Sequence, residues 1–155
     1  MKIKSIPSDL LREIYAHAEK EYPEECCGFI LGPRTAAGEL DRARACRNAQ
    51  DEYHTREPRN FPRTARTAFF MDPRDLLAVQ KEARARDGEI RVIYHSHIDA
   101  AAYFSGEDKR MAAPDGSPAW PGVYYLVISV MKGKATESRL FSWDTGQKDF
   151  RKEEG

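Results

Sequence analysis

An excess of charge of either sign, long apolar runs and a disulfide framework are all missing from this chain of 155 residues. Lysine plus arginine and aspartate plus glutamate each number 25, so the net charge is zero. No apolar run approaches the roughly 20 residues that span a membrane. Residues 1–7 carry charge and a proline but lack the apolar stretch of a signal peptide. We therefore expect neither a nucleic-acid partner nor a membrane partner.

Cysteine is scarce as well, with three residues in the whole chain. Two of them, Cys26 and Cys27, are adjacent, and neighbouring cysteines rarely form a disulfide with each other. The pattern favours a reducing, cytoplasmic setting. For Cys26 and Cys27 we favour packing within a buried strand over metal binding or redox chemistry.

What the chain does contain is enough apolar sequence for one core, because 41% of its residues are hydrophobic. We place a single domain at residues 1–147 and expect the charged tail, residues 148–155, to be frayed. Helical and strand patterns alternate at first, and the later strands look hairpin-connected. This order favours an α/β (α+β) sandwich with a mixed sheet.

Turn and capping residues divide the domain into short elements. One helix is predicted from a cap at Ser8 to Pro23, and another from a cap at Asp72 to Gly88. The inward face of the second is predicted to carry Leu76, Leu77, Val79, Gln80 and Ala83. Predicted strands cover residues 26–31, 39–46, 67–71, 89–97, 124–130 and 136–143. Residues 48–66 are predicted to be a long loop, which is either functional or a mobile surface insertion.

The most informative pattern is His95-Ser-His97, followed after seven residues by Ser105 and after two more by Asp108. On a strand, residues i and i+2 point to the same face, so His95 and His97 can reach one metal ion. Three protein ligands with one open position are typical of a catalytic zinc site. The spacing alone leaves two readings open, a metal site and a pair of structural histidines. The other histidines, His17 and His54, are predicted to lie at the surface.

This segment resembles the JAMM (MPN+) metalloprotease signature, in which H-x-H-x7-S-x-x-D is paired with an upstream E-x-x-G. Glu25-Cys-Cys-Gly28 supplies that second part. The resemblance extends over most of the chain and is to small bacterial and archaeal single-domain members. It implies a sheet flanked by helices, related to the cytidine-deaminase architecture.

The same resemblance implies the chemistry of the site. Zn²⁺ would be held by His95, His97 and Asp108, and Glu25 would act as general base toward a zinc-activated water. Ser105 would donate a hydrogen bond to the oxyanion.

From the residues alone, Ser105 can instead be a helix N-cap, and Glu25 a solvated carboxylate at the start of a strand. Glu24 is the obvious competitor for the role of base, but the spacing to Gly28 selects Glu25. Asp99 and Glu107 are given no role.

Two positions depart from the family pattern. Many members have proline directly after the second histidine and directly before the serine, where this chain has Ile98 and Phe104. The connecting loop therefore lacks two fixed φ angles, and its geometry is expected to depend on other contacts.

The resemblance also implies a substrate. Compact relatives are associated with ubiquitin-like sulfur-carrier proteins and remove an extension or an attached amino acid after Gly-Gly, so the expected partner is such a protein or an extended peptide tail. The rival hypothesis is a noncatalytic MPN-type scaffold, against which the complete set of site residues argues. A zinc deaminase would need H-x-E and P-C-x-x-C, which this chain lacks. The sequence leaves the oligomeric state open, including a homodimer.

Overall fold

One mixed sheet organises the protein in the computed structural model, which describes residues 2–154. These residues form four helices: α1 (Ser8–Glu21), α2 (Gln50–Arg56), α3 (Pro73–Ala85) and α4 (Gly106–Ala112). The strands are β1 (Cys27–Pro33), β2 (Arg42–Cys46), β3 (Gly88–Ile98), β4 (Tyr124–Met131), β5 (Lys134–Asp144) and β6 (Asp149–Lys152). Their order in the sheet is β2-β1-β3-β4-β5-β6; β3 and β4 pair in parallel, and the other neighbours are antiparallel. The predicted mixed sheet flanked by helices is confirmed.

Alternation along the strands creates two cores. On one face, Leu10, Ile14 and Ala18 of α1 pack with alternate residues of the central strands, including Tyr94. On the other face, Val79 and Ala83 of α3 join a second cluster that includes Ile93. Because side chains alternate along β3, His95 and His97 follow Ile93 on the face of α3 and α4. Both histidines therefore lie on that face of the sheet, at the carboxyl end of β3.

Gly28 is required where β1 passes under Tyr94 of β3, its partner in the register. A Cβ atom on Gly28 would lie 2.3 Å from Cζ of Tyr94, far inside contact distance. Tyr94 has little freedom to move, since it is fully buried and its hydroxyl lies 2.8 Å from Nδ1 of His17. The glycine of the E-x-x-G motif therefore serves the packing of β1 against β3.

Gly28→Ala is expected to destabilise the protein by about 1–3 kcal/mol, because overpacking of a filled core costs this much. Gly106→Ala is the matched control, since nothing lies within 4 Å of a Cβ built there. Urea unfolding of both variants measures the difference. Equal stability of the two would contradict the close approach.

The structure also corrects several element predictions. Helix α1 begins at Ser8 itself, after Pro7, with no side-chain cap. In α3, Asp72 does cap the helix by accepting from the N–H of Arg74, but Leu77 is 50% exposed and not inward-facing. Its place in the turn points it away from the face that Val79 and Ala83 bury.

The predicted strand at residues 67–71 does not form. Only Met71 pairs with another strand-like residue, Asn48, in an isolated bridge within the described chain. The reason is that the Asn48 side chain accepts the N–H of Phe70 and donates to the carbonyl of Ala68. A neighbouring strand would otherwise form these two hydrogen bonds.

Two further segments are more ordered than predicted. Residues 48–66 contain α2, whose acidic residues in the first turn and basic residues in the last suit the helix dipole. The tail, expected to be frayed from residue 148, instead forms β6, where Phe150 is buried in the core that faces α3. Pairing with β5 and burial of this ring hold the tail in place; Gly155 lies outside the described residues. None of the helices in residues 2–154 combines the length and apolar character that crossing a membrane requires.

Candidate metal centre

Three buried side chains meet where β3 ends and α4 begins. Nε2 of His95 lies 3.1 Å from Oδ1 of Asp108, and Nε2 of His97 lies 3.0 Å from Oδ2. One donor atom from each of the three residues falls within 4.8 Å of the other two. Strand β3 places the histidines side by side, and the first turn of α4 places the carboxylate opposite them. The structure therefore brings together the His95, His97 and Asp108 that the sequence singled out.

The hydrogen bond at Nδ1 of His97 determines whether Nε2, which faces Asp108, carries a hydrogen or a lone pair. Nδ1 of His97 lies 2.9 Å from the carbonyl oxygen of Ala101, which can only accept, so Nδ1 carries the hydrogen. In the neutral ring, Nε2 then presents a lone pair to the Asp108 oxygen 3.0 Å away. Two electron-rich atoms face each other, and a cation, either a proton or a metal ion, must lie between them.

His95 strengthens the case for a metal ion. Its side chain is 1% exposed; Nδ1 has no hydrogen-bond partner among the described residues, and Nε2 faces Oδ1 of Asp108 at 3.1 Å but in poor alignment for a hydrogen bond. An unsatisfied buried nitrogen is costly, and a metal ion is a partner that its lone pair can take. Burial alone would raise the pKa of Asp108, but the two histidines and the backbone N–H of Ser105 hold it well below its ordinary value. Two imidazole nitrogens and an ionised carboxylate fit a divalent metal ion.

Ser105 acts as the N-cap of α4. Its Oγ accepts the N–H of Asp108 at 3.0 Å, and the Asp108 carboxylate accepts the N–H of Ser105 at 3.0 Å, which completes a capping box. This box fixes the direction of the Asp108 side chain toward the histidines. The hydroxyl hydrogen of Ser105 is not used by the cap, so it stays available to donate beside the cluster.

Glu25 is the buried member of the acidic pair, whereas Glu24 is exposed. Its backbone is fixed at both ends: the N–H donates to Ala65 at 2.8 Å, and the carbonyl accepts from the side chain of Asn48 at 2.9 Å. Burial, with the charge of Asp108, raises the pKa of Glu25 to about 9, against an opposing effect of Arg63. A carboxyl group so poised can hold and release a proton near neutral pH once a cation lies close to it.

The raised pKa predicts how stability changes with pH in chelator-treated protein. The folded state favours neutral Glu25. The contribution of this residue to the free energy of unfolding is therefore complete below its ordinary pKa of 4.5 and is lost as pH rises toward about 9. Unfolding by urea at several pH values should therefore show stability falling over this window, with a smaller fall in Glu25→Gln. The exposed Glu57 provides the control substitution Glu57→Gln, which should follow the wild type. An identical decline in Glu25→Gln and wild type would contradict the account.

Packing replaces the two missing prolines in the loop between His97 and Ser105. Phe104 is buried, and its ring centroid lies 4.8 Å from that of Phe150 and 5.3 Å from that of Tyr125. At the other end of the loop, the carbonyl of Ala100 accepts the hydroxyl of Ser129 at 2.6 Å. The loop is thus anchored at both ends by contacts to the sheet.

Several residues near the site were not identified from the sequence. Asn48 makes four hydrogen bonds that tie Glu25, just before β1, to residues 50–70, and the carbonyl of Ala65 accepts the N–H of Glu25. Arg63 lies 3.9 Å from Glu107 across the approach to Asp108. In the sequence, only the polar character of residues 48–66 hinted at these contacts, because the fold decides which distant residues meet.

Other residues differ from their predicted surroundings. His17 was expected at the surface, but it is half-buried against Tyr94, and this burial lowers its pKa. His54 is half-buried and lies 2.7 Å from the carbonyl of Phe61. Asp99, which was given no role, accepts from the N–H of Lys132 and from the Tyr22 hydroxyl. The three cysteines are free and buried; Cys27 packs within β1 as predicted, whereas Cys26 lies just before that strand.

Comparison with known proteins gives consistent relatives. The chain is 27% identical over 140 residues to the "CysO-cysteine peptidase" of Mycobacterium tuberculosis, covering 88% of this chain and 80% of that protein. It is 29% identical over 122 residues to the "Desampylase" of Pyrococcus furiosus, covering 79% and 71%.

Solved structures agree. A protein from Desulfitobacterium hafniense superposes with a TM-score of 0.70 at 26% identity, covering 95% of this chain and 87% of that one. A protein from Salinibacter ruber gives 0.64 at 28% identity, covering 99% and 89%. Residues 7–145 match the family model described as prokaryotic homologs of the JAB domain, Prok-JAB. The JAMM resemblance is therefore confirmed, and the chain belongs to the prokaryotic homologues of the JAB domain.

Proposed function

We propose that this protein is a zinc-dependent peptidase or isopeptidase. The observation that carries the proposal is the convergence of His95, His97 and Asp108, whose facing electron-rich atoms need a cation between them. A borderline set of two imidazoles and one carboxylate suits Zn²⁺. Bound zinc would supply Lewis acidity, which polarises a carbonyl and lowers the pKa of water.

The protein's own side chains divide the remaining work. Glu25 takes the proton of the attacking water and passes it to the leaving amine, since it is a buried carboxyl group near enough to Asp108 for that charge to raise its pKa. Ser105 donates its free hydroxyl hydrogen to the oxyanion while its oxygen caps α4. Ala65 and Asn48 keep the backbone of Glu25 in place.

The substrate we propose is the C-terminal tail of a ubiquitin-like sulfur-carrier protein. Support comes from the relatives, one named as a CysO-cysteine peptidase and the other as a desampylase, and from the likeness to compact members of the family. The three free, buried cysteines accord with a cytoplasmic location, which we also propose.

The test is cleavage of a sulfur-carrier protein extended after Gly-Gly, incubated with zinc-loaded protein and followed by mass spectrometry. We expect loss of the extension, and no loss when a chelator removes the metal. Zinc-loaded protein that binds the carrier but leaves it intact would favour the noncatalytic scaffold instead.

A further inference from the structure

A cavity of about 240 Å³ opens beside the metal centre, with His95 and Asp108 in its wall. The rest of the wall is almost entirely apolar and includes Phe69, Phe70, Met71, Leu76, Met111 and Trp120. For scale, an apolar cavity of roughly 150 Å³ takes up benzene. The space therefore holds a side chain of the size of leucine or phenylalanine.

The cavity is an opening in the surface and not a void in the core. Its outer wall residues are only partly buried, and Met111 is 46% exposed. Its floor is formed by buried side chains, among them Ile93, Phe104 and Tyr125. Covering these water-exposed apolar walls with an apolar group lowers the free energy of the system.

Tyr125 lies in this floor with its hydroxyl buried. The side chain is 5% exposed, and the hydroxyl is shielded from solvent and has no hydrogen-bond partner among residues 2–154. An occupant of the open cavity therefore meets the ring of Tyr125 and not its O–H. Thioether and aromatic side chains pack favourably against such a ring.

We propose that this cavity is the subsite for a methionine or phenylalanine side chain on a residue next to the hydrolysed bond, an inference that rests on the proposed function. Both side chains fill the space and can pack against the aromatic ring of Tyr125. Charged side chains are disfavoured because the two ionisable residues in the wall, His95 and Asp108, belong to the proposed metal centre, and the rest of the wall is apolar. Cysteine, named for the mycobacterial relative, is too small to fill it.

The first measurement uses the extended sulfur carrier with methionine, phenylalanine, leucine, cysteine, alanine or aspartate placed on either side of the cleaved bond. We expect kcat/KM to be about tenfold higher for methionine and phenylalanine than for cysteine or alanine on one of the two sides. Equal rates for all six residues on both sides would overturn the proposal.

A second measurement needs neither metal nor cleavage: binding of 4-fluorotoluene, followed by fluorine NMR. We expect binding to wild type and loss of binding in Ala112→Leu, because Ala112 lines the cavity and leucine would fill it. Ala78→Leu places the same side chain on an exposed position of α3 and should bind like wild type. Met111→Ser, at the exposed rim, should weaken binding without a folding defect, so a misfolded Ala112→Leu does not decide the result.

The two measurements separate this inference from the proposed function. Normal binding of 4-fluorotoluene with no cleavage of any carrier would overturn the hydrolase and leave the apolar cavity as a binding site. Cleavage without side-chain preference, or 4-fluorotoluene binding that is absent from wild type or equal in wild type, Ala112→Leu and Met111→Ser, would overturn the subsite alone.

Discussion

Glu25→Gln is expected to lower kcat of the zinc-loaded protein by about 10²- to 10⁴-fold, the usual contribution of a positioned general base. The substitution keeps the shape of the side chain but removes its ability to take a proton. The fold should survive, because the buried carboxyl is already favoured in its neutral form in the absence of metal. KM should change little, since the residue acts on the reacting water and not on the bulk of the substrate.

Glu24→Gln is the matched control for this experiment. Glu24 precedes Glu25 directly but is exposed, so its replacement should leave kcat unchanged. Zinc content should also be the same in both variants and in wild type, because neither residue belongs to the cluster of donors. If Glu25→Gln kept most of the activity, another group would have to be the base, and the role proposed for Glu25 would fall.

Zinc is expected to stabilise the folded protein by about 4 kcal/mol when its free concentration is about 1,000 times the dissociation constant. The three donors are assembled by folding, from β3 and from α4, so zinc should bind the folded state in preference to the unfolded chain. Thermal unfolding with buffered zinc and with chelator measures the difference as a rise in Tm.

Asp108→Asn tests whether this stabilisation comes from the proposed centre. The amide can still accept the N–H of Ser105 in the capping box, but it removes the negative charge that faces the two histidines. We expect the variant to fold and to lose most of the zinc-dependent rise in Tm. An undiminished rise would place the stabilising ion elsewhere.

The mixed sheet and the cluster of His95, His97 and Asp108 could be predicted from local signals taken together with the family resemblance. Two histidines at i and i+2 on a strand must share a face, and the Ser105 to Asp108 spacing is that of a helix start. The two strands that the sequence marked most clearly, residues 89–97 and 124–130, lie at the centre of the sheet. Glu25 was chosen over Glu24 through the spacing to Gly28 and the alternation expected on a strand, and the structure shows why residue 28 is glycine, in the contact with Tyr94.

What could not be predicted depends on contacts between distant parts of the chain. Residues 67–71 have the composition of a strand, yet no strand forms. The Asn48 side chain instead bonds to the carbonyl of Ala68 and the N–H of Phe70. The charged tail hides one apolar residue, Phe150, whose burial beside Phe104 turns the segment into β6. In the sequence, Phe104 was notable only because many family members have proline at this position. In the fold, its buried ring anchors the loop and forms part of the cavity floor.

Zinc content, measured by mass spectrometry on untagged wild type and His97→Ala, shows whether the three buried residues bind zinc. We expect about one zinc per chain in wild type and little in the variant, because the loss of one of three buried ligands opens the site. His17→Ala, which alters a histidine on the opposite face of the sheet, should retain zinc like wild type. Wild type that takes up no zinc at neutral pH, or His97→Ala that keeps it, would contradict the account.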